Sequence, residues 1–229
     1  MLHEEKIWDV IQFFEEYSAK DSDLFSYYLG YLCHYALDSH AHPLIFAYAR
    51  SKSLETGDNE GVIHVTSEGA IDVWLLNQRG RKISTYDVYK DIHVSHNDRK
   101  KLSVMYFKML KKIFNIDVKV IDVYTAIQEI SSWTHFIAPR QTTYNLIHRM
   151  ETMFKMPHGI SGMMLVNKTD FSIINLDHKK YPLVFDETKT LSASFPELYG
   201  KAIFTACRIL DHHDQNDFVL TFGGAPYSL

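Results

Sequence analysis

The stretch that most constrains this chain lies between residues 23 and 49, DLFSYYLGYLCHYALDSHAHPLIFAYA. A helix drawn through it is apolar on almost every side, which predicts a central, buried element. Yet its middle carries His34, Asp38, His40 and His42. A buried carboxylate is costly unless it is paired or bound to a metal, so the fold must supply a partner here. Asp21 or Ser22 is the predicted cap. Pro43 should break or kink the helix, because its ring removes an N–H and disfavours helical geometry in the residue before it.

Few residues elsewhere interrupt helices: 229 residues include only 10 Gly and 6 Pro, and 46% are hydrophobic. The expectation is one all-α domain over 1–229, a multi-helix bundle. Further helices are predicted at 4–17, 62–76, 98–114, 119–137, 142–155 and 194–210. The segment 51–61 is expected to be a loop and MPHGISG (156–162) a break. Cys33 and Cys207, each in an apolar helical pattern, are expected to be buried free thiols. A formal net charge of −4 does not favour a nucleic-acid partner. The basic runs RGRK (79–82) and RKK (99–101) read as solvated faces. The amino-terminal stretch lacks the pattern of a signal peptide, and no run approaches a membrane span, so a soluble, cytoplasmic protein is expected. A homo-oligomer is left open.

The polar residues of the central helix follow a rule. His34 and Asp38 are four apart, as are Asp38 and His42, and His64 and Glu68 repeat that spacing on the third helix. Side chains so spaced share a helix face. Two antiparallel helices would aim His34, Asp38, His64 and Glu68 into one cavity able to hold a divalent cation. Histidine with carboxylate and no cysteine suits Zn2+ first, with Mn2+ or Fe2+ also open. Asp72 extends the second stripe and is expected to support the ligands rather than join them. His40 lies off the stripe in a continuous helix.

The strings CHYALDSHAHP and HVTSEGAIDVWLL resemble the bacterial zinc-dependent phospholipase C family, in its shorter branch. The resemblance is close over the first third of the chain and weaker at NLDHKKYPLVFDE. It implies the all-α phospholipase C fold and two zinc ions. His34 and Asp38 correspond to ligands of one ion, and His42, His64 and Glu68 to ligands of the other. The secreted members also use a processed terminus, an upstream aspartate and an upstream histidine. His3 is the candidate for that histidine, and the rest has no counterpart, so a truncated start or a reduced site is expected.

The resemblance further implies a metal-dependent hydrolase of phosphate esters, acting on a small phosphoester or a phospholipid through a metal-activated water. No general base is legible. Two alternatives remain: a nuclease of the same fold, and a non-catalytic metal-binding helical module. DHHD (211–214) imitates phosphoesterase signatures but reads as a solvated helix end. His93, His96, His135, His148, His158 and His178 are expected to be surface or satisfied residues, and SSWTH (131–135) with Tyr144 reads equally as pocket wall or aromatic core.

Overall fold

Helical periodicity in the sequence is matched by helices in space. The computed structural model describes residues 6–136, 140–166 and 170–211, apart from the side chains of Ser84, His135 and Phe136. It is 74% helical, as the all-α expectation requires. The helices are α1 (Ile7–Ser18), α2 (Ser22–Thr56), α3 (Glu60–Gln78), α4 (Val88–Ile92), α5 (His96–Phe114), α6 (Val120–Phe136), α7 (Gln141–Met153), α8 (Gly159–Met163) and α9 (Phe195–Asp211). A short antiparallel hairpin pairs β1 (Tyr181–Pro182) with β2 (Thr190–Leu191).

These elements build two compact units. The first takes its described residues from 1–40, 92–132 and 199–229, the second from 41–91 and 133–198. Helix α2 belongs to both. Within the first unit, α1 and α5 enclose a core of Val10, Phe14, Leu32, Tyr35, Met105 and Met109, each at most 1% exposed. Phe14 meets the ring edges of Tyr31 and Tyr106 at 5.1 and 5.4 Å, and α9 contributes Ile209. Asp21 caps α2 by accepting the amides of Asp23 and Leu24, and it pairs with Lys101. The RKK run is therefore engaged rather than solvated at two of its positions, since Arg99 also lies over the Tyr124 ring.

In the second unit, the later half of α2 and α3 bury Leu44, Ala49, Ile71 and Val73. Asn59 caps α3 by accepting the amide of Val62. Residues after α8 close the unit through Asn175, which holds φ 56°. Its amide donates to the carbonyls of Lys179, Ser192 and Ala193, drawing the hairpin's two flanks together. Ser194 precedes α9, its amide and hydroxyl both donating to the Glu197 carboxylate.

Four expectations change. Pro43 does not break α2, which runs unbroken through it. A proline within a helix costs about 3 kcal/mol. Burial of Leu44 and Ile45 beside it contributes about 1.5–3 kcal/mol each and offsets that cost. The loop expected at 51–61 shrinks to the three residues between Thr56 and Glu60, with Gly57 at φ 78°. The break at 156–162 contains most of α8. Cys33 and Cys207 are free but exposed, because α2 turns Leu32, Tyr35 and Ala36 inward and leaves Cys33 on its outer face. His3 and residues 212–214 of the DHHD string lie outside the described residues, and Asp211 ends α9 exposed to solvent.

Candidate metal centre

On α2, the turn ending at His42 meets α3 at the turn of His64 and Glu68. His42 Nε2 lies 3.4 Å from Glu68 Oε1, and His64 Nε2 lies 3.2 Å from the same oxygen. The two imidazoles are 15% and 17% exposed and Glu68 is 43% exposed, so the group is walled on one side and open on the other. Phe46, one turn beyond His42, packs against both imidazoles at 5.5 and 4.7 Å between ring centres and fixes their planes. Phe185 leans on Phe46 at 6.5 Å.

The electrostatics favour a cation. The side chains of His42 and His64 hold the Glu68 carboxyl down at about 2, overcoming the burial that would raise it. Glu68 is therefore a carboxylate at neutral pH. One turn on, Asp72 reaches solvent yet is ringed by enough protein to push its carboxyl up to about 6, desolvation first and the charge of Glu68 second.

Donor chemistry and spacing both fit zinc. Each of His42, His64 and Glu68 offers one ligand atom, all within 4.8 Å of one another. Two ligand atoms of a tetrahedral site with bonds of about 2.0–2.1 Å stand about 3.3–3.4 Å apart. The contacts at 3.2 and 3.4 Å match that edge and exceed the usual length of a charge-assisted hydrogen bond. Two imidazoles and a carboxylate are also the donor set of three-ligand zinc sites.

The other candidates are placed differently. His34 Nε2 pairs with Asp38 Oδ2 at 3.2 Å on the part of α2 that belongs to the first unit. His40 is not in the cluster; its Nε2 bonds Thr205 Oγ1 at 2.9 Å, and burial, with Lys201 adding to it, lowers its pKa. His96 and His178 are hydrogen-bonded to Tyr124 and to the Ser192 carbonyl. Among the described residues a second group of metal-competent side chains converges: His148, Glu151 and His158. Reading those histidines as surface or satisfied residues misses this. The i, i+3 spacing of His148 and Glu151 on α7 is the one local signal for it.

A family model described as zinc dependent phospholipase C matches residues 2–132. No curated protein and no solved structure matches the chain. Among the described residues, no helix is long and apolar enough to cross a membrane. The family and the clustered ligands together support a metal-dependent, phospholipase-like function. With more than half of its length matched, including α2 and α3, the chain belongs to the zinc-dependent phospholipase C family.

Proposed function

We propose that the protein is a zinc-dependent phosphodiesterase of phospholipase C type, with His42, His64 and Glu68 holding one ion and His34 and Asp38 contributing to a second. The observation that carries this reading is the convergence of His42, His64 and Glu68 from two helices of a chain in this family. A zinc ion bound there supplies Lewis acidity, polarising a phosphoryl oxygen and acidifying water. The chain's own groups do the rest. Glu68 supplies the anionic ligand, and the Phe46 ring keeps the two imidazoles in register. The open side of Glu68 faces the solvent from which a phosphoester arrives. Water adds to phosphorus, the P–O bond to the alcohol breaks, and the departing alcohol oxygen takes up a proton. Asp72, one turn beyond Glu68 on the same stripe and reachable by solvent, is placed to hold and release that proton.

The test is a panel of substrates with zinc-reconstituted protein: a short-chain phosphatidylcholine, a chromogenic phosphodiester and single-stranded DNA. Hydrolysis of the first two, lost in His64→Ala and Glu68→Gln, is the expected result. Cleavage of DNA alone would make the protein a nuclease of this family. Tight zinc binding with no hydrolysis of any of the three would leave a metal-binding module.

A further inference from the structure

Beyond the matched segment, the second unit gathers another set of ligand-type side chains. Helix α7 carries His148 and Glu151 on one face, and His158 stands at the cap position of α8. The imidazoles of His148 and His158 stack with ring centres 4.2 Å apart and planes 25° from parallel. Tyr144 stacks on the far side of His148, at 5.5 Å and 11°. In this stack the two imidazoles lie face to face, so joint ligation of one ion requires one ring to turn out of the stack and bring its nitrogen into line.

Glu151 lies beneath them, only 3% exposed. Its Oε1 accepts the Ile160 amide at 2.9 Å, and both oxygens lie 3.4 Å from the Ser161 amide. The Ser161 side chain also hydrogen-bonds this carboxyl, and His158 Nδ1 lies 3.4 Å from Oε2. That nitrogen is buried and lacks a hydrogen-bond partner. A buried polar atom left unsatisfied costs about 1–3 kcal/mol, and as the unprotonated ring nitrogen Nδ1 presents a lone pair to a cation. Its distance from the carboxylate is too long for a charge-assisted hydrogen bond, normally about 2.7–2.9 Å. It equals the edge of about 3.3–3.4 Å between two ligand atoms on one tetrahedral zinc.

All three residues offer a ligand atom within 4.8 Å of the others. The fourth position has somewhere to go. A cavity of about 570 Å³ adjoins the cluster, lined by His148, His158 and Ser161 on one side and by Val62, Thr66 and Ser67 of α3 on the other. The Ser161 hydroxyl lies 3.4 Å from His148 Nδ1, where it can orient the ring. This cavity is not the opening beside Glu68. Positions 64 and 68 are each two residues from Thr66, about 200° around the axis of α3, so the two clusters occupy opposite faces of that helix.

We propose that His148, Glu151 and His158 form a second transition-metal site, of the open three-ligand type, whose free position faces the 570 Å³ cavity between α3, α7 and α8. Zinc, with cobalt as its spectroscopic substitute, is a first-row ion that two imidazoles and one carboxylate suit. The site stands on its own geometry and does not depend on the hydrolase reading.

Chelator-stripped full-length protein, reloaded with Co2+ and dialysed, tests the site through metal content and the visible absorption of tetrahedral cobalt. The double variant His148→Ala/His158→Ala should hold about one ion per chain fewer than the wild type and lose one component of that spectrum. The variant His64→Ala/Glu68→Gln should retain that component. Circular dichroism checks that each variant folds. Should the double variant unfold, His158→Gln decides, with an expected weakening of cobalt affinity at this site by at least about tenfold. Unchanged ion content and spectrum in the folded double variant, or unchanged affinity in His158→Gln, overturns the proposal. Loss of catalysis or of metal in the His64/Glu68 variant bears on the hydrolase reading alone.

Discussion

Gly162 of α8 packs so closely on Thr66 of α3 that a β-carbon at position 162 would stand 2.9 Å from the Thr66 hydroxyl oxygen. Real β-carbons do not approach so near, and the added carbon would also meet Val65 and Val62 at van der Waals distances of 3.5 and 3.8 Å. Gly162→Ala should therefore cost about 1–3 kcal/mol of stability through overpacking. Adding Thr66→Ser, which keeps the hydroxyl, should recover little, whereas Thr66→Ala should recover most of the loss. Urea midpoints of the four proteins check this; a Gly162→Ala protein as stable as the wild type would show that the two helices are free to separate.

Zinc should raise the melting temperature of chelator-stripped protein, because an ion that binds the native state alone stabilises it. At about a hundredfold its Kd the gain is about 2.7 kcal/mol. Glu68→Gln keeps the side chain's size but removes the negative charge between His42 and His64, so the zinc-induced rise should shrink. Equal rises in the two proteins would remove Glu68 from the ligand set.

The resemblance implies that Asp38, with His34, is a ligand of one zinc ion. Asp38→Asn should lower metal occupancy and reduce phosphodiester turnover by about a hundredfold, the scale on which an essential group at a metal site acts. Asp211→Asn, at the exposed end of α9, should leave turnover unchanged. An Asp38→Asn protein with full metal and full turnover would take this residue out of the site.

The carboxyl of Asp72 gives a pH signature. It is raised to about 6, by desolvation first and by Glu68 second. A carboxyl raised on folding favours the native state while protonated. That contribution is complete below its unfolded value of about 3.9 and is lost as pH rises through about 6. In the presence of chelator, Asp72→Asn should therefore be more stable than the wild type above about pH 6 and equal to it below about pH 4. A stability difference that stays constant across this range would contradict the shift.

The parts of this fold that were legible in sequence are those set by local periodicity. Helices α2 and α3, the Asp21 cap and the i, i+4 pairs each depend on residues within a turn or two of one another. Tertiary packing decided the rest. Pro43 lies in an unbroken helix because Leu44 and Ile45 are buried beside it, and Cys33 is exposed because Leu32, Tyr35 and Ala36 take the inward face of α2 at that turn. The stack of His148 on His158 joins two helices across a chain reversal, so no spacing rule shows it. His42 is attached to its cluster by family resemblance, and in space its Nε2 lies 3.4 Å from Glu68.

The division of the chain between its two units sets an order on biosynthesis. The first unit draws on residues near the beginning, from the middle and from 199 onward, and its core includes Ile209 while Thr205 bonds His40. Nothing translated before α9 can complete it. The aromatic surface of α1 and α2 is covered in part once α5 is made, but the share that α9 covers stays open through the synthesis of α6 to α8, at about 5–20 residues per second. Apolar surface held open over that interval invites non-native contacts, and the yield of folded protein in a cell will depend on how quickly α9 arrives.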